Sequence, residues 1–136
     1  MHRETLKIST SRRGFTEITS RVNRIITRAG MADGLCNVFI LHTSASLVIT
    51  ENADPDVLAD LETLLSDLAP DGDSRYTHTA EGPDDMSAHI RSVLTATSIT
   101  IPIDSGALKL GTWQGLFLWE HRTGPHAREI WITAVE

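Results

Sequence analysis

The sequence predicts a single α+β domain with mainly antiparallel strand pairing. Three observations carry that expectation. Short β-rich runs occupy both ends of the chain, stretches with helical apolar spacing lie between them, and neither an internal repeat nor a linker interrupts the order. With 136 residues, 40% hydrophobic and 22% charged, residues 1–136 form one domain that buries roughly two-thirds of its unfolded surface, needing no disulfide or structural metal to fold.

The elements follow in order. Glu4 to Ser9 alternates Leu6 and Ile8 with polar neighbours and reads as a strand; Phe15 to Ile18 reads as a short one. Thr16 or Thr19 then caps a helix in which Ile18, Val22, Ile25, Ile26 and Ala29 recur at helical spacing up to Gly30. Leu35 to Thr43 is β-rich with Cys36, Val38, Ile40 and His42 on one face. Leu47 to Glu51 follows, and pairs with it if the two form a hairpin. Asp54 as N-cap with Pro55 at the first helical position starts the clearest helix, whose apolar face is Val57, Leu58, Leu61, Leu64, Leu65 and Leu68. A long loop runs from Pro70 to Met86. A helix from about Met86 to Ala96 is expected next, capped by Asp84 or Asp85, with Ile90, Val93 and Leu94 inward. Ser98 to Ile103, Gly115 to His121 and Arg128 to Val135 complete the strands.

Eighteen acidic against twelve basic residues give a net charge of −6. That field disfavours nucleic acid and anionic membrane as partners, so a phosphorylated ligand would need local arginines, amides or a divalent cation. The single cysteine, Cys36, lies in an apolar run and reads as a buried reduced thiol, which points to the cytoplasm. Met1 to Lys7 lacks the apolar core of a signal peptide, and no run approaches ~18 apolar residues, so neither export nor a membrane span is expected.

The chemistry-bearing residues fall into three groups. His42, followed by Thr43 and Ser44, and Glu51 with Asn52 place ionisable groups inside or at the ends of apolar runs, where burial without a partner costs on the order of 2–7 kcal/mol. His78, Glu81, Asp84, Asp85 and His89 mix imidazoles and carboxylates over the loop and the helix start. This mixture suits a divalent cation, while Asp84 and Asp85 also read as plain helix caps. Gly111-Thr112-Trp113-Gln114-Gly115 and Trp119-Glu120-His121-Arg122 form the third group, where Trp113 offers a stacking face and Glu120 and Arg122 share one side of a strand. Arg75, Arg91, Arg122 and Arg128 are candidate phosphate clamps, although an arginine in such a place is more often a solvated surface charge. No Walker loop, nucleophile elbow or dinucleotide fingerprint is present, and Ser44 becomes a nucleophile only if a base reaches it.

Taken in order, His42-Thr43-Ser44-Ala45-Ser46-Leu47, Glu51-Asn52 with Asp54-Pro55, His78 with Glu81-Gly82, Asp84-Asp85-Met86 with Ala88-His89-Ile90, Gly111 to Gly115 and Glu120-His121-Arg122 resemble the secondary thiamine-phosphate synthase family, also called YjbQ-like. The resemblance implies a β-sandwich-like α+β fold with flanking helices, assembled as a homotrimer. It also implies a transferase that joins a hydroxymethylpyrimidine diphosphate to a thiazole phosphate, releasing pyrophosphate. Its site would place His42, Glu51, His89 and Glu120 in catalysis, and Thr43, Ser44, Asn52, Trp113, Gln114, Arg122 and Arg128 on the substrate. His42, His78, His89, Asp54, Glu81 and Asp84 would lie toward a divalent metal, with magnesium for turnover and zinc or manganese also suited to the histidines. Ser87 stands where proline is frequent in the family, and His126 where a small residue is frequent. The alternatives are a metal-dependent hydrolase of small phosphorylated metabolites and a non-catalytic trimeric ligand-binding protein.

Overall fold

Alternation along the β-rich runs separates two faces, and the chain uses that separation to build two sheets around one core. The computed structural model describes residues 1–136. Its elements are β1 (His2–Thr10), β2 (Gly14–Glu17), α1 (Thr19–Arg28), β3 (Gly34–Ile40), β4 (Ala45–Glu51), α2 (Pro55–Leu68), α3 (Asp85–Leu94), β5 (Ser98–Asp104), β6 (Ala107–Leu108), β7 (Gln114–Glu120) and β8 (His126–Val135). A five-stranded sheet has the order β1-β8-β3-β5-β6 and a three-stranded sheet the order β2-β7-β4, all neighbours antiparallel. The α+β expectation holds, and no helix is long and apolar enough to cross a membrane.

The core is filled from both sheets and from α1. Cys36, Val38, Ile40, Ile130, Ile132 and Ala134 face Ala45, Leu47, Leu116 and Leu118 across it, with Val22, Ile25 and Ile26 of α1 inserted. Burial raises the Cys36 thiol to about 11, leaving it protonated and unreactive. β3 and β4 do not form the hairpin open to them as sequence neighbours, because they belong to different sheets. Leu41 to Ser44 is therefore a corner crossing from one sheet to the other. His42 lies past the end of its strand rather than in the row of core side chains.

Helix ends also differ from expectation. The residue before α1 is Ile18, with no side-chain cap; the Thr19 hydroxyl instead donates to Glu17 (2.9 Å) and accepts from the Leu116 amide (2.9 Å), tying the helix to β7. Asp54 caps α2 as anticipated, accepting from the Asp56 amide at 2.9 Å. Of the apolar face of α2 only Leu65 is buried, while Leu64 and Leu68 are exposed.

The largest departure is α3. Apolar spacing points Val93 and Leu94 inward, yet Val93 is 83% exposed and Leu94 is exposed too, and the buried face is Asp85, Ser87, Ala88 and Arg91. Helix α3 packs on β4, α2 reaches β7 through Glu62, and polar groups are buried between the two helices. Arg91, wholly buried, pairs with Glu62 of α2 and donates to Ser66 Oγ (3.0 Å); the other Glu62 oxygen accepts from Trp119 Nε1 (2.7 Å). Trp119 in turn stacks on Phe15, ring centroids 4.3 Å apart. One carboxylate thus joins both helices to β7.

Removing Glu62 leaves a buried guanidinium without its counter-ion, a loss of the order of 3–5 kcal/mol. Glu62→Ala is expected to lose about 3 kcal/mol in urea unfolding and to alter Trp119 fluorescence; a loss below about 0.5 kcal/mol, the range of ordinary surface substitutions, would show that α2 and α3 are held mainly by apolar packing.

Candidate metal and substrate site

The site is assembled where a corner, a loop, a helix start and a turn converge. Asp85, the first residue of α3, is 2% exposed as a side chain. Its Oδ2 accepts from His78 Nε2 at 2.6 Å and lies 3.1 Å from His89 Nε2, while its Oδ1 accepts from Arg122 Nη1 at 2.8 Å. The ligand atoms of His78, Asp85 and His89 all lie within 4.8 Å of one another, a geometry able to hold one cation. Burial works against an ionised Asp85. His78, Glu81, His89 and Arg122 outweigh it and hold the carboxyl below its ordinary range.

Each partner is positioned by its own anchor. His89 follows Asp85 by four residues, about one helical turn, so both reach the same rim. Its Nδ1 is 2.9 Å from the Thr43 carbonyl. A carbonyl only accepts, so Nδ1 carries a proton. The Thr43 carbonyl is fixed by the corner below it, where Arg128 donates to the Ser44 carbonyl (3.2 Å) and Oγ (2.9 Å) and pairs with Glu120. The 70–84 loop brings His78. It is pinned by Arg13, which forks onto Asp71 through two bonds of 2.9 Å, by Ser87 on Asp71, and by the Arg122 bond to the Glu81 carbonyl at 3.0 Å.

The residues singled out from sequence divide between this place and others. His78 and His89 meet here, together with Asp85, which reads in the sequence as a cap. Neither aspartate caps α3. Asp84 accepts from Arg122 Nε (3.1 Å) and from the Thr123 amide (2.9 Å) and hydroxyl (3.0 Å), which overcome burial and hold it far below the usual carboxylate range. Arg122 therefore pairs with Asp84 and Asp85 rather than with Glu120. Glu120 is 1% exposed and is the counter-ion of Arg128, also accepting the Thr10 hydroxyl at 2.7 Å. Burial opposes its ionisation, and Arg128 and Thr10 prevail.

Ser44 is likewise buried, with its Oγ on Arg128 and no base against it. Exposed Arg75 pairs with Asp73, and Arg91 with Glu62, so all four candidate phosphate clamps are held by carboxylates of this chain. His42 lines a cleft of about 370 Å³ with Thr43, His89, Ser92, Val93 and Thr97. Its Nε2 accepts from the Glu129 amide at 2.8 Å, and burial and then Arg128 lower its pKa, so neutral His42 carries its proton on Nδ1. His78 lines a second cleft of about 420 Å³ with Tyr76, Gly82 and Pro83.

Glu51, Asn52, Asp54, Trp113 and Gln114 lie elsewhere. Ala45 of β4 pairs with Glu120 and Glu51 with Gln114, which puts the two groups at opposite ends of a strand roughly 20 Å long. There the Asn52 backbone N–H donates to the Trp113 carbonyl (3.1 Å), Gln114 Oε1 accepts from the Gly111 backbone N–H (2.8 Å), and Trp113 is 63% exposed.

A two-sheet α+β domain with three helices, carrying two imidazoles around one buried carboxylate, is the class that this fold and site define. In comparison with known proteins, residues 4–136 match the family model described as UPF0047 protein YjbQ-like. The chain belongs to that family. It is 54% identical to UPF0047 protein sll1880 of Synechocystis sp. over 129 residues, 95% of this chain and 88% of that protein. It is 40% identical to UPF0047 protein YjbQ of Salmonella typhimurium, covering 97% and 96%. Among solved structures it is similar to the conserved hypothetical protein TT1486 from Thermus thermophilus, with a TM-score of 0.88, 35% identity and coverage of 97% and 99%. It is also similar to the hypothetical protein APE1520 from Aeropyrum pernix K1, with a TM-score of 0.89, 26% identity and coverage of 99% and 98%.

Beneath the site His121 is wholly buried, its Nε2 2.8 Å from Ser46 Oγ, and burial, then Arg91, push its pKa from 6.5 to about 3. The unfolded chain binds this proton first, so stability falls as pH drops from about 6.5 toward 3. His121→Gln is expected to flatten that part of the stability–pH curve measured by urea midpoints; an unchanged slope would assign the dependence to other groups.

Proposed function

We propose that this chain is a divalent-metal-dependent enzyme acting on a small phosphorylated metabolite, with the cation held by His78, Asp85 and His89. The observation that carries this reading is the tautomer of His89. With Nδ1–H committed to the Thr43 carbonyl, a neutral His89 turns its Nε2 lone pair onto Asp85 Oδ2 at 3.1 Å. Two acceptors at that distance require a cation between them, either a proton or a metal. Two imidazoles and one carboxylate suit zinc or manganese better than magnesium. A bound cation would supply a Lewis acid for a phosphate or diphosphate oxygen.

The rest of the cleft supplies complementary groups. Neutral His42 presents Nδ1–H as a donor, the Thr43 hydroxyl is open beside it, and exposed Val93 offers an apolar wall for a ring. Among reactions of this class we favour the transfer that the resemblance implies, formation of thiamine phosphate with release of pyrophosphate. In that reaction the residues around the cation bind and orient the diphosphate while the pyrimidine lies toward the apolar wall. Trp113, at the far end of β4, is not available for stacking within the same chain. The buried thiol of Cys36 supports a cytoplasmic setting.

The test is thiamine phosphate formation by the purified protein with both substrates and zinc, manganese or magnesium. His89→Ala and Asp85→Asn are each expected to lower turnover at least ~100-fold, the loss of a metal-held charge at the reacting centre. Product in equal amounts from these variants would overturn the assignment, and pyrophosphate or phosphate released without the thiazole partner would make the enzyme a hydrolase.

We further propose that the protein is a homotrimer associating through the outer face of the five-stranded sheet. Phe39 pairs with Trp131 on that face, both 39% exposed, and Leu35 lies on the same side. Trp131→Glu is expected to yield monomers in light scattering; a wild-type monomer would remove the proposal.

A further inference from the structure

We infer that Arg122 is a positioning residue that makes Asp85 a one-toothed ligand and thereby sets the affinity of the cation site. This rests on the metal reading above. Each of the three guanidinium nitrogens donates to the protein. Nε donates to Asp84 Oδ2 (3.1 Å), Nη1 to Asp85 Oδ1 (2.8 Å) and Nη2 to the Glu81 carbonyl (3.0 Å). Its charge is already matched by two buried carboxylates, Asp84 and Asp85, so its role is directed inward.

The planar fork matters more than the charge. Asp84 lies on one side of Arg122 and is itself locked by the Thr123 amide and hydroxyl, so the guanidinium plane is fixed before it meets Asp85. Holding Oδ1 leaves Oδ2 alone to face His78 and His89. The carboxylate then offers one oxygen, and the site keeps a low coordination number with positions open to a substrate. The same side chain's bond to the Glu81 carbonyl ties down the loop that carries His78, so one residue aligns both the acidic ligand and one of its imidazole partners.

This assignment opposes the simple electrostatic expectation. A guanidinium bonded to a metal-binding carboxylate repels the metal, so on charge alone its removal would tighten binding. If orientation dominates, removal weakens it, by the roughly 10–100-fold typical of groups that support a ligand from behind. The sign of the change separates the two.

The experiment is titration of the full-length protein with zinc alone by competition against a chromophoric chelator, with cobalt absorption spectra of the same samples. Arg122→Gln is expected to bind zinc at least ~10-fold more weakly, and its cobalt spectrum to lose intensity as Asp85 binds through both oxygens and coordination rises. Arg122→Lys, which keeps the charge without the fork, is expected to resemble Arg122→Gln. Asp84→Asn, which loosens the fork and touches no ligand, is expected to weaken zinc a few-fold and decides the matter if Arg122→Gln fails to fold. Zinc binding that is unchanged or tighter in folded Arg122→Gln, or unchanged in Asp84→Asn, overturns the inference. His89→Ala run alongside distinguishes the failures: if it binds zinc like the wild type, the metal reading itself falls.

Discussion

A carboxylate held almost wholly out of water, that of Asp85, is the constraint on which this end of the molecule depends. An isolated ion in such a place costs several kcal/mol, and a single partner rarely offsets it. Asp85 has three, and they come from three segments: His78 from the loop before the helix, His89 from the helix itself and Arg122 from the turn after β7. None of these can drift without stranding the charge. The loop is accordingly fastened at both ends, by the Gly72 amide on the Pro83 carbonyl (2.9 Å), by the Tyr76 hydroxyl on the Pro70 carbonyl (2.8 Å), and by Arg13 on Asp71. Arg13 also donates to the His121 carbonyl (2.8 Å), so the turn between β1 and β2 grips the loop and the end of the small sheet together.

The same demand explains why α3 buries its charges and exposes its valine. A helix whose inner face must deliver Asp85 to the rim, and Arg91 further along to Glu62, has no room there for Val93. Beside the buried Leu65, Ala69 and Ala88 the interface carries the Arg91–Glu62 ion pair and the Trp119 indole, which makes it less tolerant of single truncations than a purely apolar seam. At the opposite side of the small sheet, the Glu120–Arg128 pair joins β7 to β8 across the two sheets and supports the Ser44 carbonyl. Chain order thus leads from a buried ion pair to a fixed corner, from the corner to the Thr43 carbonyl, and from that carbonyl to the tautomer of His89.

Much of the architecture is legible in the sequence because it depends on local pattern. Strand alternation places Cys36, Val38 and Ile40 inward, and the Asp54-Pro55 start of α2 follows from capping chemistry alone. The two-sheet arrangement is implied only by resemblance, since alternation does not say whether β3 pairs with β4 or leaves it. The face of α3 misleads for a physical reason. Apolar spacing assumes an apolar surface opposite, whereas the surface it meets carries Glu62, Trp119 and the Asp71 carboxylate. Asp85 looks like a cap because a carboxylate at the first helical turn is favourable in any case; its spacing of four from His89 is the available signal. The roles of Glu120, Arg91 and Arg128 are hidden because each ion pair joins residues whose partners are set by the tertiary fold.

Closeness in sequence and closeness in space diverge here for a geometric reason. His42 to Asp54 is one short, chemistry-rich stretch, yet most of it is β4, and an extended strand separates its ends by about 3.3 Å per residue. Ser44 and Glu51 are consequently as far apart as the small sheet is long. His78, Asp85, His89 and Arg122 span a far longer stretch of chain but gather within one hydrogen-bonded cluster, because a loop and a helix fold back against a turn. In a mostly antiparallel domain, residues along one strand divide between its two ends, and a composite site takes its members from reversals of the chain. On that ground the cluster around Asp85 is one site, and the Glu51, Asn52, Trp113 and Gln114 edge is a separate surface within each chain.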